Sequence, residues 1–568
     1  MLDLLLRGGE VVDGTGAPRR CADVGIRAGR IVSIGPTEEL ARRSIDVDGL
    51  VVAPGFVDIH THYDAQLLWD PSASPSPLHG VTTVFGGNCG FTIAPLDDNG
   101  AGYVAAMMAK VEGMPLAALQ SASWSWRSFG DYLDTLENRV GPNVGFLAGH
   151  STLRRMVLGE DAVGGELDEA GRARIVELAH QAMNDGAIGL SSSLGEAHTD
   201  GDDEPVPSRY ADRDEFLALA SAVGKHPGTT LEFIPGLGEI AEDRAELMAD
   251  MSLAAGRPLN WNLLGSLSPT EVYAQQLTAS DRAAGKGAHV VALTLPDLMR
   301  LRADRVLDAL PGWKSVVRMP DDERRTALAD PATRQRLRDG AAKAAASGIA
   351  AAATPELIEV AEAAHAAQER YVGRTIADIA AERGVDAIDV LLDVVLPDRL
   401  PLTMVLPSLV PSLGASDEGW ERRVEVWRDP RVVIGGSDAG AHLDLMCHAN
   451  YTTRVLSEAV RRRGLMSLEE AVHQLTDVPA RLYGLSRRGR VAEGWHADLV
   501  VFDPDTVDSA PARARDDLPG GGMRLFAEGV GIKHVFVAGV EIVTDDVLTG
   551  ATPGTVLRSG RDTETVSI

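Results

Sequence analysis

The sequence predicts an α/β protein whose main domain is a (β/α)8 TIM barrel, joined to a small β-sandwich domain built from both termini. The middle of the 568-residue chain alternates short apolar runs with helical stretches, which is the pattern of a closed parallel barrel. Eight of these runs are predicted strands, the number that such a barrel requires. Both ends of the chain instead carry short β segments separated by turn residues.

Each of the eight predicted barrel strands has polar or Gly-rich residues at its C-terminal end. In chain order the strands are residues 55–60, 81–86, 144–148, 188–192, 229–234, 259–263, 289–293 and 432–436. Because the active sites of barrel enzymes lie at the carboxyl ends of the strands, we expect the functional residues there.

The two ends of the chain carry the signals of β-strands. Near the N-terminus, residues 4–6 and 10–12 are predicted strands, with Gly8-Gly9 as the turn between them. Near the other end, residues 497–503 form one predicted strand. Residues 534–543 are broken by an Ala-Gly pair, as a hairpin is. We therefore expect both ends to contribute to one small β domain.

The predicted domains follow from these elements. The β domain comprises residues 1–53 and 478–568, and the barrel comprises residues 54–477. Between strands seven and eight, residues 297–400 are rich in Ala, Arg and Glu at helical spacing and predict a helical insertion, placed to overhang the barrel mouth. A separate domain is the alternative, which the lack of a Pro/Ser-rich linker disfavours.

Composition restricts the partners and the compartment. A formal net charge of −28 disfavours nucleic acid and membrane surfaces as partners, so a small-molecule substrate is expected. Three cysteines in 568 residues exclude a disulfide framework and suit a reducing compartment. The N-terminus lacks the pattern of a signal peptide, and no apolar run approaches the roughly 20 residues of a membrane span. The prediction is a cytoplasmic protein, and the sequence leaves its oligomeric state open, a homo-oligomer included.

A pair of histidines ends the first predicted barrel strand. In the segment Asp58-Ile-His60-Thr-His62, strand alternation places His60 and His62 on the same side. Two imidazoles that converge at a barrel mouth form half of a metal site. A His-X-His pair alone is a weak indication of a metal site, but the combination with the preceding run Ala-Pro-Gly-Phe-Val-Asp is specific.

Two more candidate ligands follow other strands. Asp438 comes after the eighth strand, where a carboxylate can bind a metal and accept a proton from a metal-bound water; an Asp that caps the next helix is the alternative. Cys89 comes after the second strand in Gly-Gly-Asn-Cys-Gly, whose glycines let the backbone turn inward. An inert buried cysteine is the alternative for this residue.

Several segments together match one known pattern. They are residues 5–9, 13–16, 54–64, 80–84, 88–90, 111–115, 149–151, 186–192, 437–438 and 493–498. With these segments the chain resembles the N-acyl-D-amino-acid deacylases (D-aminoacylases) of the amidohydrolase superfamily over nearly its whole length.

The resemblance implies a barrel with a composite β domain, zinc at its mouth, and hydrolysis of an amide by a metal-activated water. His60 and His62 match the family's first-strand pair. Cys89 matches its bridging thiolate, and Asp438 matches its catalytic aspartate.

The chain departs from the family at two strands. In the family, the fifth and sixth strands each end in a metal-binding histidine, but residues 229–234 and 259–264 here contain none. We therefore expect about one Zn²⁺ per chain, with another divalent metal as the alternative; His60, His62, Cys89 and Asp438 supply up to four ligands for a tetrahedral site. If all four bind, a catalytic water must enter as a fifth ligand or displace one.

Four further residues are candidates for substrate binding or for a supporting role. Glu232 is a replacement metal ligand or a group that orients the water, with a strand-end surface acid as the alternative. His150 is a candidate hydrogen-bond donor to the substrate carbonyl or oxyanion, with a structural histidine as the alternative. His442 and Arg454 are candidates for binding substrate anions.

The function predicted from these residues is hydrolysis of a C–N amide bond, with Asp438 taking a proton from the metal-activated water and returning it to the leaving amine. N-acyl-D-amino acids are the first choice of substrate, followed by other amides, cyclic amides and lactones. Two alternatives remain. One is a non-catalytic, metal-free relative, which would explain the missing histidines, and the other is a lyase or isomerase that reuses the site.

Overall fold

The computed structural model describes most of the chain and divides it into two compact units. The residues outside the description are 98–99, 237, 265–269, 295–299, 303–306, 308–309, 347–357, 364–365, 399–401 and 406–416. The first unit comprises Met1–Asp297, Ser416–Leu443 and Cys447–Ile568. The second unit comprises Leu298–Ala415 and Asp444–Met446.

The described elements are numbered here in chain order. The strands are β1 Leu2–Val11, β2 Arg20–Arg27, β3 Arg30–Ile34, β4 Ala41–Asp46, β5 Val51–Pro54, β6 Phe56–Asp58, β7 Val81–Gly86, β8 Asn143–Gly149, β9 Gly189–Ser193, β10 Thr230–Ile234, β11 Leu259–Leu264, β12 Val290–Thr294, β13 Arg300–Arg302, β14 Ile358–Val360, β15 Leu402–Val405, β16 Val432–Ile434, β17 Leu499–Phe502, β18 Asp508–Ser509, β19 Arg513–Leu518, β20 Gly522–Phe526, β21 Gly529–Val530, β22 Ile532–Val537, β23 Val540–Thr544 and β24 Val547–Leu548.

The α-helices are α1 Gly100–Val111, α2 Leu116–Ser121, α3 Phe129–Leu136, α4 His150–Leu158, α5 Glu169–Asp185, α6 Arg213–Gly224, α7 Glu242–Ala255, α8 Thr270–Gly285, α9 Lys314–Val317, α10 Asp321–Ala329, α11 Pro331–Ala346, α12 Ile376–Arg383, α13 Ala387–Val390, α14 Asp417–Trp427, α15 Tyr451–Arg454, α16 Leu468–Leu475 and α17 Asp477–Leu482. Two π-helices span Leu391–Val395 and Val455–Arg462. In the part of the chain that the structure describes, no helix has both the length and the apolar character to cross a bilayer.

Eight parallel strands form the central sheet of the first unit, in the spatial order β6, β7, β8, β9, β10, β11, β12 and β16. Just beyond the first and last of these strands, a parallel bridge pairs Thr61 with Ala439. There the Asp438 amide donates to the His60 carbonyl at 3.0 Å, and the His62 amide donates to the Ala439 carbonyl at 2.7 Å. These bonds join the first strand to the eighth, as in a TIM barrel.

All eight predicted barrel strands are confirmed, with ends that differ by at most two residues. Every residue of β7, β8, β9, β10 and β12 is buried. Strands of a parallel barrel are covered on both faces, so their sequences are nearly continuous apolar runs rather than alternating ones. This is why short apolar runs were sufficient to locate them.

Both ends of the chain meet in one nine-stranded sheet, called here the terminal sheet. Its order is β24, β23, β22, β17, β5, β1, β2 and β3, with β4 beside β1. Strand β5 from the N-terminal segment pairs antiparallel with β17 from the C-terminal segment, so that Val52 faces Val501. The predicted joint origin of this sheet and the hairpin of β22 and β23 are confirmed. Its β-sandwich form stays a prediction.

The predicted turn at Gly8-Gly9 is wrong, because β1 runs through both residues. The pairing of β1 with β2 shifts register between Leu6 and Gly9, which marks a β-bulge. Gly8 has a φ of +74°, which favours glycine. A Cβ at Gly9 would lie 2.6 Å from Val52 Cγ2. The two glycines therefore serve a bulge and a close approach rather than a chain reversal.

The second unit contains more than the predicted helices. Helices α9 to α13 lie in it, but so does a three-stranded antiparallel sheet in the order β13, β15, β14. Its strands are three or four residues long, too short to show a period in the sequence. The unit has its own apolar core, which includes Trp313, Leu337, Ile379 and Leu391.

A buried ion pair connects the terminal sheet to the barrel. Asp498 Oδ2 pairs with Arg488 and accepts a hydrogen bond from Asn143 Nδ2, at the start of β8, at 3.1 Å. Asp498 Oδ1 accepts the Ala538 amide, in the turn between β22 and β23, at 2.8 Å. The side chains of Arg488 and Asp498 are 3% and 4% exposed. Since both charges are removed from water, each depends on the other for stabilisation.

Replacing Asp498 with alanine is expected to destabilise the first unit, because the Arg488 charge would stay buried without its carboxylate. The loss should be about 3 to 5 kcal/mol, the range for breaking a buried pair. Urea unfolding followed by circular dichroism measures it. The exposed Asp505→Ala is the matched control, with an expected change within about 0.5 kcal/mol. Equal unfolding midpoints for the two variants would contradict the role of the pair.

Candidate metal centre

Two buried imidazoles follow β6 at the carboxyl end of the barrel. The Nε2 atoms of His60 and His62 lie 3.5 Å and 3.1 Å from Oδ1 of Asp438. Burial lowers the pKa of His62. Burial acts in the same direction on His60, but the carboxylates of Asp438, Glu232 and Asp58 outweigh it and raise the pKa of that imidazole. The Nε2 atoms of both histidines, which follow the first strand, thus face the carboxylate of Asp438, which follows the eighth strand.

Cys89 joins this pair from the loop after β7. Its Sγ lies 3.4 Å from His60 Nε2 and 3.8 Å from His62 Nε2. The loop turns tightly: Cys89 has a φ of +58° and Gly87 a φ of +72°, and a Cβ at Gly87 would lie 2.2 Å from the Leu147 carbonyl oxygen. Burial, with the nearby acid Glu232, raises the pKa of the Cys89 thiol well above its ordinary value. A nearby cation is what would favour its thiolate.

Asp438 reaches the histidines from the loop after β16. Its side chain is 25% exposed, whereas His62 is fully buried. Burial opposes ionisation of Asp438, but hydrogen bonds from His60 and His62 outweigh it and hold the pKa of this carboxyl well below its ordinary value. The structure therefore brings together His60, His62, Cys89 and Asp438, from the first, second and eighth strands.

Asp58 lies behind this group and fixes the two strands that carry it. Its carboxylate accepts the amides of His60 and Ser437, each at 3.3 Å, and the Ser437 hydroxyl. Burial raises the pKa of Asp58 to about 6, against the effect of these hydrogen bonds. Asp58 thereby ties the segment of His60 to the segment of Asp438.

The two strands on which the resemblance expects a histidine, β10 and β11, instead carry a hydrogen-bonded acid and amide. Glu232 is the central residue of β10, and its Oε2 accepts the Cys89 amide at 2.9 Å. Its other oxygen accepts from Asn262 of β11, whose amide group lies 2.8 Å from His60 Nδ1. Glu232 is 1% exposed, so it is not a surface acid, and burial raises its pKa to about 7.

Glu112 is a site residue that the sequence did not predict. It directly follows α1, and its Oε2 lies 3.4 Å from His62 Nε2. Burial raises the pKa of Glu112 well above its ordinary value, and the acids Asp438, Asp64 and Glu232 add to the effect. The only signal in the sequence was an acidic residue in the segment Val-Glu-Gly-Met-Pro, which carries part of the family resemblance.

The candidates for binding substrate anions take different positions. His442 Nε2 lies 3.9 Å from Asp438 Oδ2, and its side chain is partly exposed. Arg454 ends α15 and pairs with Glu458 at 2.9 Å. Binding of a substrate anion by either residue stays a prediction.

The ring of His150 is enclosed by the fold rather than presented to the metal-site residues. Its Nδ1 lies 2.8 Å from the Ser192 hydroxyl and its Nε2 lies 2.8 Å from Glu215 Oε1. Glu215 also pairs with the buried Arg154. Because both ring nitrogens have partners within the fold, this placement favours the structural alternative for His150.

The donor atoms have the spacing of a metal site. His60, His62 and Cys89 form one group within 4.8 Å, and His62, Glu112 and Asp438 form another. In a tetrahedral zinc site, with bonds of about 2.0 to 2.3 Å, the ligand atoms lie about 3.3 to 3.6 Å apart. The measured separations run from 3.1 to 3.8 Å. Within each group the spacing therefore fits a divalent cation of that size, and His62 belongs to both groups.

If His150 is structural, replacing it with alanine should destabilise the barrel, because Glu215 and Ser192 lose a buried partner. The expected loss is about 2 to 4 kcal/mol, measured by urea unfolding. His442→Ala, at a partly exposed side chain, is the comparison and should cost less than about 1 kcal/mol. A His150→Ala protein as stable as wild type would exclude the structural role.

Known proteins are similar to this chain in sequence and in fold. The sequence model of the amidohydrolase family matches residues 43–543. D-aminoacylase from Alcaligenes xylosoxydans xylosoxydans is 30% identical, over 98% of this chain and 97% of that enzyme. N-acyl-D-glutamate deacylase from the same organism is 30% identical, over 95% of this chain and 93% of that enzyme.

A solved structure of D-aminoacylase, described for the functional role of its binuclear metal center with one-metal activation and second-metal attenuation, is also similar. It superposes with a TM-score of 0.62 at 26% identity, over 98% of this chain and 100% of that one. The family match covers most of the sequence, and the relatives are matched almost from end to end. The chain therefore belongs to the amidohydrolase family, as its motifs predicted.

Proposed function

We propose that this amidohydrolase is a metal-dependent deacylase that hydrolyses the amide bond of N-acyl-D-amino acids. The observation that carries the proposal is the convergence of His60, His62, Cys89 and Asp438 at the carboxyl ends of the barrel strands. Relatives at 30% identity are named for the same reaction on D-amino acids.

The proposed cofactor is one Zn²⁺ per chain, with another divalent metal as the alternative. The absence of a histidine from β10 and β11 favours one ion, and the buried polar side chains Glu232 and Asn262 of these strands are hydrogen-bonded to each other.

The chemistry divides between the cation and the chain. A bound metal ion acidifies water and polarises a carbonyl group. The side chains that would hold that ion are those of His60, His62, Cys89 and Asp438. Glu232 fixes the Cys89 loop through the Cys89 amide. Asp438, ionised and partly open to solvent, accepts the proton of the attacking water and delivers it to the leaving amine.

The proposed substrate is an N-acyl-D-amino acid, and other amides, cyclic amides and lactones are the alternatives. His442 is the proposed contact for a substrate anion, because it is partly exposed and lies beside Asp438. Arg454 is the second proposed contact. The protein is proposed to act in the cytoplasm on small molecules, without nucleic-acid or membrane partners, in keeping with its free cysteines and its net charge of −28.

The domain boundaries are also proposed. The barrel is assigned residues 54–477, including the insertion at 297–400. The β-sandwich domain is assigned residues 1–53 and 478–568. In support, β5 and β17 pair across the two terminal segments.

Metal analysis tests the cofactor. Elemental analysis of the purified protein should give about one divalent ion per chain. Titrating zinc into the chelated protein to about 100 times its dissociation constant should raise the free energy of unfolding by about 2.7 kcal/mol. Cys89→Ser should weaken zinc binding, because sulfur is lost from the ligand set. A wild-type protein that is folded, metal-free and indifferent to added zinc would favour the scaffold alternative.

Asp438→Asn tests the proton carrier. On a panel of N-acetyl-D-amino acids, the variant should lose about 10²- to 10⁴-fold in kcat, the usual contribution of general acid–base catalysis. Asp505→Asn, at an exposed position, is the matched control and should retain wild-type turnover. Unchanged turnover in Asp438→Asn would show that Asp438 does not carry the proton. Turnover of lactones but not of amides would show that the substrate is a lactone.

A further inference from the structure

Glu112 is a fifth donor side chain at the cluster, and neither the sequence nor the proposed function uses it. Its carboxylate is 3% exposed, and Oε2 lies 3.4 Å from His62 Nε2. With His62 and Asp438 it forms the second group, in which one donor atom of each side chain lies within 4.8 Å of the others. The buried acid therefore faces the nitrogen that also faces Cys89 and Asp438.

Glu112 differs from the other buried acids of the barrel in what surrounds its carboxylate. Glu215 is paired with Arg154, Glu232 accepts the Cys89 amide, and Asp58 accepts the Ser437 hydroxyl. Among the described residues, no lysine or arginine pairs with Glu112, and no group donates a hydrogen bond to its carboxylate. A buried carboxylate without such partners is costly unless a cation neutralises it.

The backbone around Glu112 fixes the carboxylate at the site. The Glu112 amide donates to the Met108 carbonyl at 3.0 Å, and the Glu112 carbonyl accepts the His442 amide. Gly113 has a φ of +56°, and a Cβ there would lie 3.0 Å from His442 Nδ1. The end of α1 is thus packed on the loop that carries Asp438.

We infer that Glu112 is an anionic ligand of the metal ion and takes over the binding that the missing histidines provide elsewhere. The inference rests on the proposed function. His62 belongs to both donor groups, so a cation beside it would take His60 and Cys89 from one group and Glu112 from the other as its further ligands. The Cys89 thiolate and the Glu112 carboxylate together balance the 2+ charge of the ion.

This assignment leaves Asp438 free to carry the proton. Asp438 is the more exposed of the two carboxylates, at 25% against 3% for Glu112. A proton carrier must exchange protons with water and substrate, whereas a metal ligand does not need access to solvent. The two carboxylates beside His62 thereby have different roles.

Glu112→Gln tests the inference, because glutamine keeps the shape and removes the charge. Cobalt(II) is titrated into the chelated full-length protein, and binding is followed by calorimetry and by the visible absorption of the cobalt–thiolate centre. The dissociation constant should rise at least about 10-fold in Glu112→Gln. It should change less than about 3-fold in Asp438→Asn, which tests the division of roles.

Glu232→Gln is the matched control, since it removes the charge of a second buried glutamate that already has hydrogen-bond donors. It should weaken cobalt binding less than Glu112→Gln does. The metal-free melting temperature of Glu112→Gln should equal or exceed that of wild type, because no partner within the fold is lost. Glu112→Asp, which keeps the charge on a shorter side chain, should recover part of the affinity.

The outcomes separate the two proposals. A wild-type protein that binds no cobalt or zinc overturns the proposed function and this inference together. A wild-type protein that binds metal, with equal affinity in Glu112→Gln, overturns only the inference. A Glu112→Gln protein with a lower metal-free melting temperature and unchanged affinity would make Glu112 a structural residue.

Discussion

The hydrogen bonds that close the barrel at its mouth are the constraint on which the site depends. The amides of Asp438 and His62 donate across the closure to the carbonyls of His60 and Ala439. Asp58 reinforces the closure by accepting from Ser437 and from the His60 amide. Residues almost 380 positions apart in the chain are thereby held side by side. Without this closure, the histidines and the aspartate would have no common centre.

The buried acidic groups explain why a cation would stabilise that centre. Glu112, Glu232 and Asp438 lie around two imidazoles and a thiol, and of these side chains Asp438 alone is partly exposed. Burial raises the pKa of Glu112 and of the Cys89 thiol well above their ordinary values. A divalent ion would stabilise the ionised forms of both groups, because an opposite charge within a few ångströms offsets the cost of burial. The same grouping without an ion would be a costly arrangement to preserve.

The sequence predicted the features that local patterns determine. The barrel strands were predictable because strands covered on both faces are apolar runs, and His60 and His62 were placed on one side by strand alternation. The pairing of the two chain ends in the terminal sheet followed from β-rich segments at both termini. Cys89 and Asp438 were predicted from their positions just after the second and eighth strands, and the resemblance agrees with both.

Other features depend on contacts between residues distant in sequence. Glu112 approaches His62 only because α1 packs on the loop of Asp438, and no local pattern encodes that approach. The hydrogen-bond partners of the His150 ring are Ser192 and Glu215, which lie 42 and 65 positions away in the sequence. The short strands of the second unit lack a detectable period, and the bulge at Gly8 looks like a turn until its partner strand is known.

X-ray absorption spectroscopy of the zinc-loaded protein tests the central claim most directly, that side chains from the first, second and eighth strands gather around one cation. The account predicts one sulfur ligand at about 2.3 Å, from Cys89, with nitrogen and oxygen ligands at about 2.0 to 2.2 Å. It also predicts no second metal nearby. A first shell without sulfur, or a neighbouring metal at about 3.5 to 4 Å, would contradict it.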